Sequence, residues 1–178
     1  MNPDKNIGEY LRANKSAEIE RYMERSLADV FRIMFNLDLA QTPIAFPNER
    51  DCIPVHVMLY HENATACVSL RLLRNTAFLI AKKAGVEMSS ALTPFILQDV
   101  ACEMVSIISN NLRAYLSEKV GIYFEIGEII VSEADVASLE PEITLNMNFQ
   151  INPEAQLTLS FACGKGQGKK AASQKAKP

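Results

Sequence analysis

The chain has 178 residues and a formal net charge of −3, and 48% of its residues are hydrophobic, so one globular domain with a substantial core is expected. It has no run of 18 apolar residues, which excludes an ordinary membrane-spanning helix. Residues 164–178 carry five lysines and no acid, so residues 1–163 hold 13 basic and 21 acidic groups, a net charge of −8. A body this acidic argues against a nucleic-acid-binding face on the folded domain.

The first half of the chain predicts two helices. Residues 1–15 are expected to be a mobile or weakly helical extension. Apolar residues then recur at helical spacing between Ile19 and Met34, which predicts a helix over residues 16–37. A shorter helix is predicted over residues 74–85, with Gly85 in the position that follows a helix C-terminus.

Between these helices the pattern changes to strict alternation. Two apolar runs, over residues 53–59 and 64–72, flank the short segment from His61 to Asn63, and this arrangement is typical of a β-hairpin. His56 falls on the polar side of the first strand, so a half-exposed histidine is expected there.

The second half of the chain starts with a long predicted helix, over residues 93–118. After Gly121 apolar residues alternate again, and Gly127 breaks the phase, which indicates a β-bulge. Residues 143–151 and 157–163 then alternate cleanly on either side of a turn, so a second hairpin with one dry face is predicted.

This order of elements predicts an α+β fold with a largely antiparallel sheet packed by helices on one face. The expected organisation is an N-terminal extension over residues 1–15, a domain over residues 16–163 and a disordered, lysine-rich tail over residues 164–178. The tail is read as a solubilising appendage, and an electrostatic tether to nucleic acid or acidic lipid is the alternative.

Cysteine and histidine, which often act as nucleophiles, general bases or metal ligands, are sparse in this sequence. The four cysteines are far apart, with no C-x-x-C pair, and are expected to be small buried groups in a reducing cytoplasm. The N-terminal residues lack the apolar segment of a signal peptide, which again predicts a cytoplasmic protein. The two histidines, His56 and His61, have no partner at ligand spacing, so neither a metal site nor a histidine-based triad is predicted.

One polar stripe stands out on the long helix. From residue 99 onward, polar residues recur at steps of four, three, four, three and four, which places them on one face at about 100° per residue. Since most other residues of this helix are apolar, the stripe must face either water or a partner. Its members are Asp99, Glu103, Ser106, Asn110, Arg113 and Ser117.

The stripe resembles the helix motif of the CheC/CheX/FliY phosphatases of bacterial chemotaxis. That motif reads Asp/Ser-x-x-x-Glu-x-x-Asn, and here Asp99 and Glu103 hold its first two positions while Ser106 stands at the asparagine position. The order of the predicted elements also matches the family over residues 18–163. The first predicted helix carries no second motif, which fits the single-site pattern of CheX.

The resemblance implies a fold, an activity and a partner. The protein would bind a phosphorylated CheY-like response regulator and hydrolyse its aspartyl phosphate. Glu103, Ser106 and Asn110 would be the catalytic residues, with Glu103 docking on the regulator's lysine and Ser106 orienting water. Asp99, Glu103 and Arg113 would bind the partner. The protein would carry no cofactor of its own, because the receiver would hold the magnesium ion.

Two hypotheses follow from the serine at position 106. The protein is either a response-regulator phosphatase with an altered site, or a catalytically weak or inactive module of the same fold that binds a receiver. The resemblance to CheX also implies a homodimer, and an exposed edge of the strand over residues 142–151 is one place where two subunits can pair.

Overall fold

The computed structural model describes residues 6–43, 52–86, 93–131, 136 and 139–166. The helices in these ranges are α1 (Ile7–Asn14), α2 (Ser16–Phe35), α3 (Arg74–Lys83) and α4 (Thr93–Tyr115), and a π-helical turn (Leu116–Val120) extends α4. The strands are β1 (Ala40–Gln41), β2 (Cys52–His61), β3 (Ala64–Leu73), β4 (Glu125–Ile130), β5 (Pro141–Asn152) and β6 (Ala155–Lys165).

The strands of the described residues form one sheet in the order β1-β5-β6-β3-β2-β4. Every neighbouring pair is antiparallel. The hairpins β2–β3 and β5–β6, which the alternating patterns predict, are confirmed. They meet at β3 and β6, which pair over nine residues from Ala64 to Leu72, so the two halves of the chain share a continuous sheet.

The core lies between one face of the sheet and the helices, which confirms the predicted α+β class. Alternation places the large apolar side chains of β2, β3, β5 and β6 on a common face, since residues two apart in a strand point the same way. The innermost side chains of this layer are Val57, Leu59, Val68, Leu70, Met147, Leu159 and Phe161.

The first helix departs from the predicted extension. Residues 7–14 form α1, and the side chains of Ile7 and Leu11 are fully buried in the common core. Asn6 caps the helix by accepting a hydrogen bond from the Glu9 backbone N–H at 3.1 Å. Helices this short are marginal in isolation, so packing against β5 and β6 stabilises α1. Residues 1–5 of the predicted extension lie outside the described residues.

His56 is also placed differently from its prediction. It points to the sheet face away from the helices, as the alternation indicates, but it is only 2% exposed. The reason is its position on β2, where Ser69 lies opposite on β3 and Ile130 lies opposite on β4. The Ser69 hydroxyl is 2.8 Å from His56 Nδ1, which gives the buried ring a polar partner.

Two glycines act as the sequence predicts. The pairing of β4 with β2 shifts register at Gly127, where two residues of β4 face one residue of β2. A β carbon at this position would lie 2.3 Å from the Tyr60 ring, so the bulge needs glycine. Gly85 follows the C-terminal end of α3 with a φ of 74°, a left-handed conformation that glycine adopts at little cost.

The edges of the sheet differ from expectation. Residues 148–150 of β5 are covered by hydrogen bonds with the short strand β1 and the residue after it, so β5 is not an open edge there. β6 continues to Lys165, and the Gly166 backbone N–H bonds to Asn63. Residues 164–166 of the predicted tail are therefore ordered, and residues 167–178 lie outside the described residues.

Among the helices described, none has the length and apolar character needed to cross a membrane.

Candidate functional site

Helix α4 carries the polar stripe on a firmly held scaffold. One face of the helix packs on β2, β3 and β4, and the flanks contact α2 and α3. Because the apolar residues cover most of the circumference, only a narrow face is left for solvent. The buried apolar side chains described on α4 are Leu97, Ala101, Met104, Val105, Ile108 and Leu112, and the Ser109 side chain is buried among them.

The acidic part of the stripe is open. Asp99 and Glu103 are both exposed and lie one turn apart. Among the described residues, no side chain forms an ion pair or hydrogen bond with either carboxylate. Ser106 follows Glu103 by three residues, which is ~4.5 Å along the helix axis. The structure thus leaves an unpaired carboxylate close to a hydroxyl on a rigid helix.

Two neutral members of the stripe, Ser106 and Asn110, bond to the backbone of their own helix. The Ser106 hydroxyl donates to the Cys102 carbonyl at 2.7 Å, and Asn110 Nδ2 donates to the Ser106 carbonyl at 3.0 Å. Such bonds to the residue four positions earlier fix the side chains in one orientation. In both cases an oxygen with unused acceptor capacity remains: the Ser106 Oγ and the Asn110 Oδ1.

Arg113 forms no ion pair with Asp99 or Glu103. Its side chain is half-buried, and its guanidinium carbon lies 6.0 Å from the centre of the Tyr123 ring. This separation is at the outer limit of a cation–π contact. The structure therefore brings Glu103, Ser106 and Asn110 together, with Asp99 one turn before them, while Arg113 borders Tyr123 in the segment between the π-helical turn and β4.

Contacts between α2 and α4 brace the site, and the sequence analysis missed them. Tyr22 and Tyr115 stack with ring centroids 4.3 Å apart, and the Tyr115 hydroxyl donates to Glu18 at 3.1 Å. Asn111 Nδ2 donates to Ser26 Oγ at 3.0 Å. No spacing within one helix reveals such pairs. The available signal was a polar residue, Ser26, within the buried face of α2.

The brace favours the ionised form of Glu18. Its carboxylate accepts hydrogen bonds from Lys15 Nζ at 3.0 and 3.1 Å as well as from Tyr115. The bond from Lys15 and then that from Tyr115 lower the pKa of the Glu18 carboxyl. A charge-assisted network therefore ties the start of α2 to the end of α4.

Three of the cysteines lack the character of activated nucleophiles. All four are free thiols. Burial raises the pKa of Cys67; burial, and secondarily the Asp99 carboxylate, raise the pKa of Cys102 at the border of the stripe; and burial raises the pKa of Cys163 to about 12. Reactive cysteines have a lowered pKa, so the thiols of Cys67, Cys102 and Cys163 are packing groups. In the described ranges, no three histidine, cysteine or acidic side chains are grouped to hold a metal ion.

Comparison with known proteins gives a clear result for the fold. No protein-family model and no curated protein sequence matches the chain. Solved structures do match it. The chemotaxis protein CheX from Vibrio vulnificus superposes with a TM-score of 0.65 at 16% identity, covering 84% of this chain and 99% of that one. A CheC-like superfamily protein from Shewanella sp. PV-4 also gives 0.65, at 12% identity, covering 82% and 97%.

A third match contains a bound partner. The complex of CheX, CheY, BeF3 and Mg from Borrelia burgdorferi gives a TM-score of 0.63 at 15% identity, covering 81% of this chain and 96% of that one. Identities this low establish a shared fold and nothing finer. The chain therefore has the CheC/CheX/FliY-family fold, as the stripe and the element order predict.

Proposed function

We propose that this chain, built on the CheC/CheX fold, binds the phosphorylated receiver domain of a CheY-like response regulator and hydrolyses its aspartyl phosphate. One observation carries the proposal. Glu103 is exposed on a braced helix, has no ion-pair partner among the described residues, and precedes the fixed hydroxyl of Ser106 by one turn. A neighbour in fold, from Borrelia burgdorferi, was crystallised with CheY.

In the proposed reaction this chain forms no covalent bond with the phosphoryl group. A water molecule attacks the phosphorus in line, the bond between phosphorus and the aspartate oxygen breaks, and the protons of the water end on the inorganic phosphate that leaves together with the free aspartate carboxylate. Magnesium, held by the receiver, balances charge on the phosphoryl group. Catalysis of phosphoryl transfer is largely positioning and electrostatics, so two well-placed side chains on a rigid helix suffice.

Each side chain has a distinct task. Glu103 pairs with a lysine of the receiver and sets the position of α4 over the phosphoryl group. Ser106 holds the attacking water through its oxygen. Because its proton is already donated to the Cys102 carbonyl at 2.7 Å, the hydroxyl presents only its acceptor side, which suits a water that must give up a proton. Asn110 offers its Oδ1 one turn further on, and Asp99 adds negative charge at the rim.

A second candidate function is receiver binding without hydrolysis. The observation that favours it is also at Ser106, whose hydroxyl is shorter than an asparagine amide and is held against the helix by its bond to Cys102. In this case Glu103 and Asp99 would still dock a receiver. The chain would then sequester the regulator and leave its phosphate to decay on its own.

One experiment separates the two functions. Receiver domains from the organism that encodes this chain are phosphorylated with labelled acetyl phosphate, and phosphate loss is followed with and without the protein. The phosphatase proposal expects acceleration by the wild type and none by Glu103→Gln, because the neutral amide cannot form an ion pair with a lysine. Glu118→Gln is the matched control, an exposed acid beyond α4, and should act like the wild type.

The same assay tests the serine. Ser106→Asn should accelerate hydrolysis further if the shorter hydroxyl limits catalysis. Retained binding with no acceleration by the wild type would establish the binding module instead. Neither binding nor acceleration with any receiver would overturn both functions.

A homodimer in the cytoplasm completes the proposal, on the resemblance to CheX. The outer edge strand β4 and the residue after it carry exposed apolar side chains, Ile126, Ile129 and Val131, and exposed edges of this kind can pair between subunits. Sedimentation of the protein as a monomer at micromolar concentration would contradict the dimer without affecting the proposed chemistry.

A further inference from the structure

An open groove of about 460 Å³ runs between α2 and α4, beside the polar stripe. Ser26 of α2 and Asn111 of α4 both line the groove, and Asn111 Nδ2 donates a hydrogen bond to Ser26 Oγ. This contact keeps the helices close and leaves the space beside it open. Arg25 and Asp29 also line the groove, and Arg25 Nε lies 3.9 Å from Asp29 Oδ2. Apolar and aromatic side chains make up more than half of the lining: Tyr22, Val30, Ile33, Met34 and Ile107.

The register of the two helices places one end of this groove level with Glu103 along the axis of α4. Tyr22 stacks on Tyr115, and Ser26 bonds to Asn111 four residues earlier on α4, so α2 and α4 run antiparallel and advance at the same rate. Continuing two turns in the same direction brings residues 33 and 34 level with residues 103 and 104. The interaxial distance of packed helices is about 8–10 Å, which puts the groove within reach of any partner that touches Glu103.

The apolar side chains at this end are unusually open. Ile33 is 78% exposed and Met34 is 41% exposed, whereas Ile19, Met23 and Leu27 on the same helix are fully buried. A single exposed apolar side chain needs no explanation. Here two of them adjoin a groove, and the groove adjoins the proposed docking stripe, which together make a continuous surface.

The stripe by itself is too small to hold a protein partner. The part of the stripe that lies on α4, from Asp99 to Arg113, extends ~21 Å and is one side chain wide, whereas a stable partner covers about 800 Å² on each side. A docked receiver must therefore extend over a neighbouring helix. On the α2 side it meets a concave surface into which a side chain fits, and binding energy concentrates in anchors that fill such pockets.

We propose that the α2–α4 groove receives an apolar side chain of the receiver, from the surface around its phosphorylated aspartate, with Ile33 and Met34 as the contacts on this chain. This inference rests on the proposed function. It assigns the orientation of the partner, which extends from the stripe over α2 and not over α3. Glu103 and Ser106 then act on the phosphoryl group, while the groove supplies affinity.

The test compares two charge substitutions at exposed apolar positions. Ile33→Asp places a carboxylate at the groove, and Phe78→Asp does the same on α3, where Phe78 is 47% exposed. Receivers from the same organism, loaded with beryllium fluoride and magnesium, are titrated against each variant, and hydrolysis is measured with labelled receivers. Ile33→Asp should raise Kd and KM about 10- to 100-fold with kcat unchanged. Phe78→Asp should stay within about twofold of the wild type.

Each outcome decides the proposal. Equal binding by wild type and Ile33→Asp, with wild-type hydrolysis intact, overturns the groove and leaves the proposed function standing. Weaker binding by Phe78→Asp alone assigns the partner to α3 and also overturns it. Conversion of a dimer to a monomer by Ile33→Asp, with receiver binding retained, shows that a second copy fills the groove. A wild type that binds no receiver overturns the proposed function and the groove together. Circular dichroism checks that both variants are folded.

Discussion

Replacing Ser106 with alanine removes a single oxygen atom. We expect this change to slow hydrolysis strongly and to alter the stability of the protein very little. The hydroxyl bonds to the Cys102 carbonyl at 2.7 Å, but that carbonyl also lies within reach of the helical N–H of residue 106, so the substitution leaves no buried acceptor unpaired. Loss of the side-chain hydrogen bond destabilises the protein by about 0.5–1 kcal/mol. Alanine regains about 0.5 kcal/mol through its higher helix propensity. The two effects nearly cancel, and Tm should change by less than about 3 °C.

The rate should respond very differently. If the Ser106 oxygen holds the attacking water, Ser106→Ala removes the group that fixes its position. A displacement of the water by about 1 Å can reduce the rate about a hundredfold. Single-turnover hydrolysis of a labelled receiver should therefore slow by about that factor, while Kd for the beryllium fluoride form stays within about twofold. A rate within twofold of the wild type would refute the role of Ser106, and Asn110→Ala would then test the other acceptor of the stripe.

Two further predictions concern stability. Gly127→Ala should lower the free energy of unfolding by about 1–3 kcal/mol, because the new β carbon would lie 2.3 Å from the Tyr60 ring; urea denaturation measures the loss, and an unchanged midpoint would contradict the bulge geometry. The Lys15 hydrogen bond lowers the pKa of the Glu18 carboxyl in the folded protein. Ionised Glu18 therefore stabilises the fold at any pH above the pKa that this carboxyl has in the unfolded chain. The contribution is lost as the pH falls through the lower pKa of the folded state. Tm of the wild type should exceed that of Glu18→Gln at neutral pH and converge with it in acid, and a constant difference would argue against the ion pair.

The parts of the fold that local patterns encode were predictable. Alternation over residues 143–151 and 157–163 identifies a hairpin because one face of the sheet is dry. Gly127 and Gly85 signal a bulge and a helix end because few other residues tolerate those positions. The stripe on α4 was predictable for the same reason, since its polar residues recur with the period of the helix.

The parts that depend on distant contacts were not predictable from the sequence. Helix α1 presents only a few apolar residues over eight positions, and its burial against β5 and β6 decides its structure. Strand β1 has two residues and exists because β5 offers it an edge. His56 is buried because β4 returns to the sheet beside β2, some 70 residues later. The groove at Ile33 needs the register of two helices, which only the contacts of Ser26 and Tyr22 reveal.

The back-bonded side chains of the stripe have a consequence for recognition. Ordering a long side chain on binding costs about 0.5–1.5 kcal/mol, but Ser106 and Asn110 already hold one orientation in the free protein. The brace between Tyr115 and Glu18 likewise keeps α4 from shifting relative to α2. If the chain binds a receiver as proposed, this preset surface would present one shape to the phosphorylated and unphosphorylated forms alike. Discrimination between the two forms would then come from a change of shape in the receiver, with this chain as the template against which that change is read.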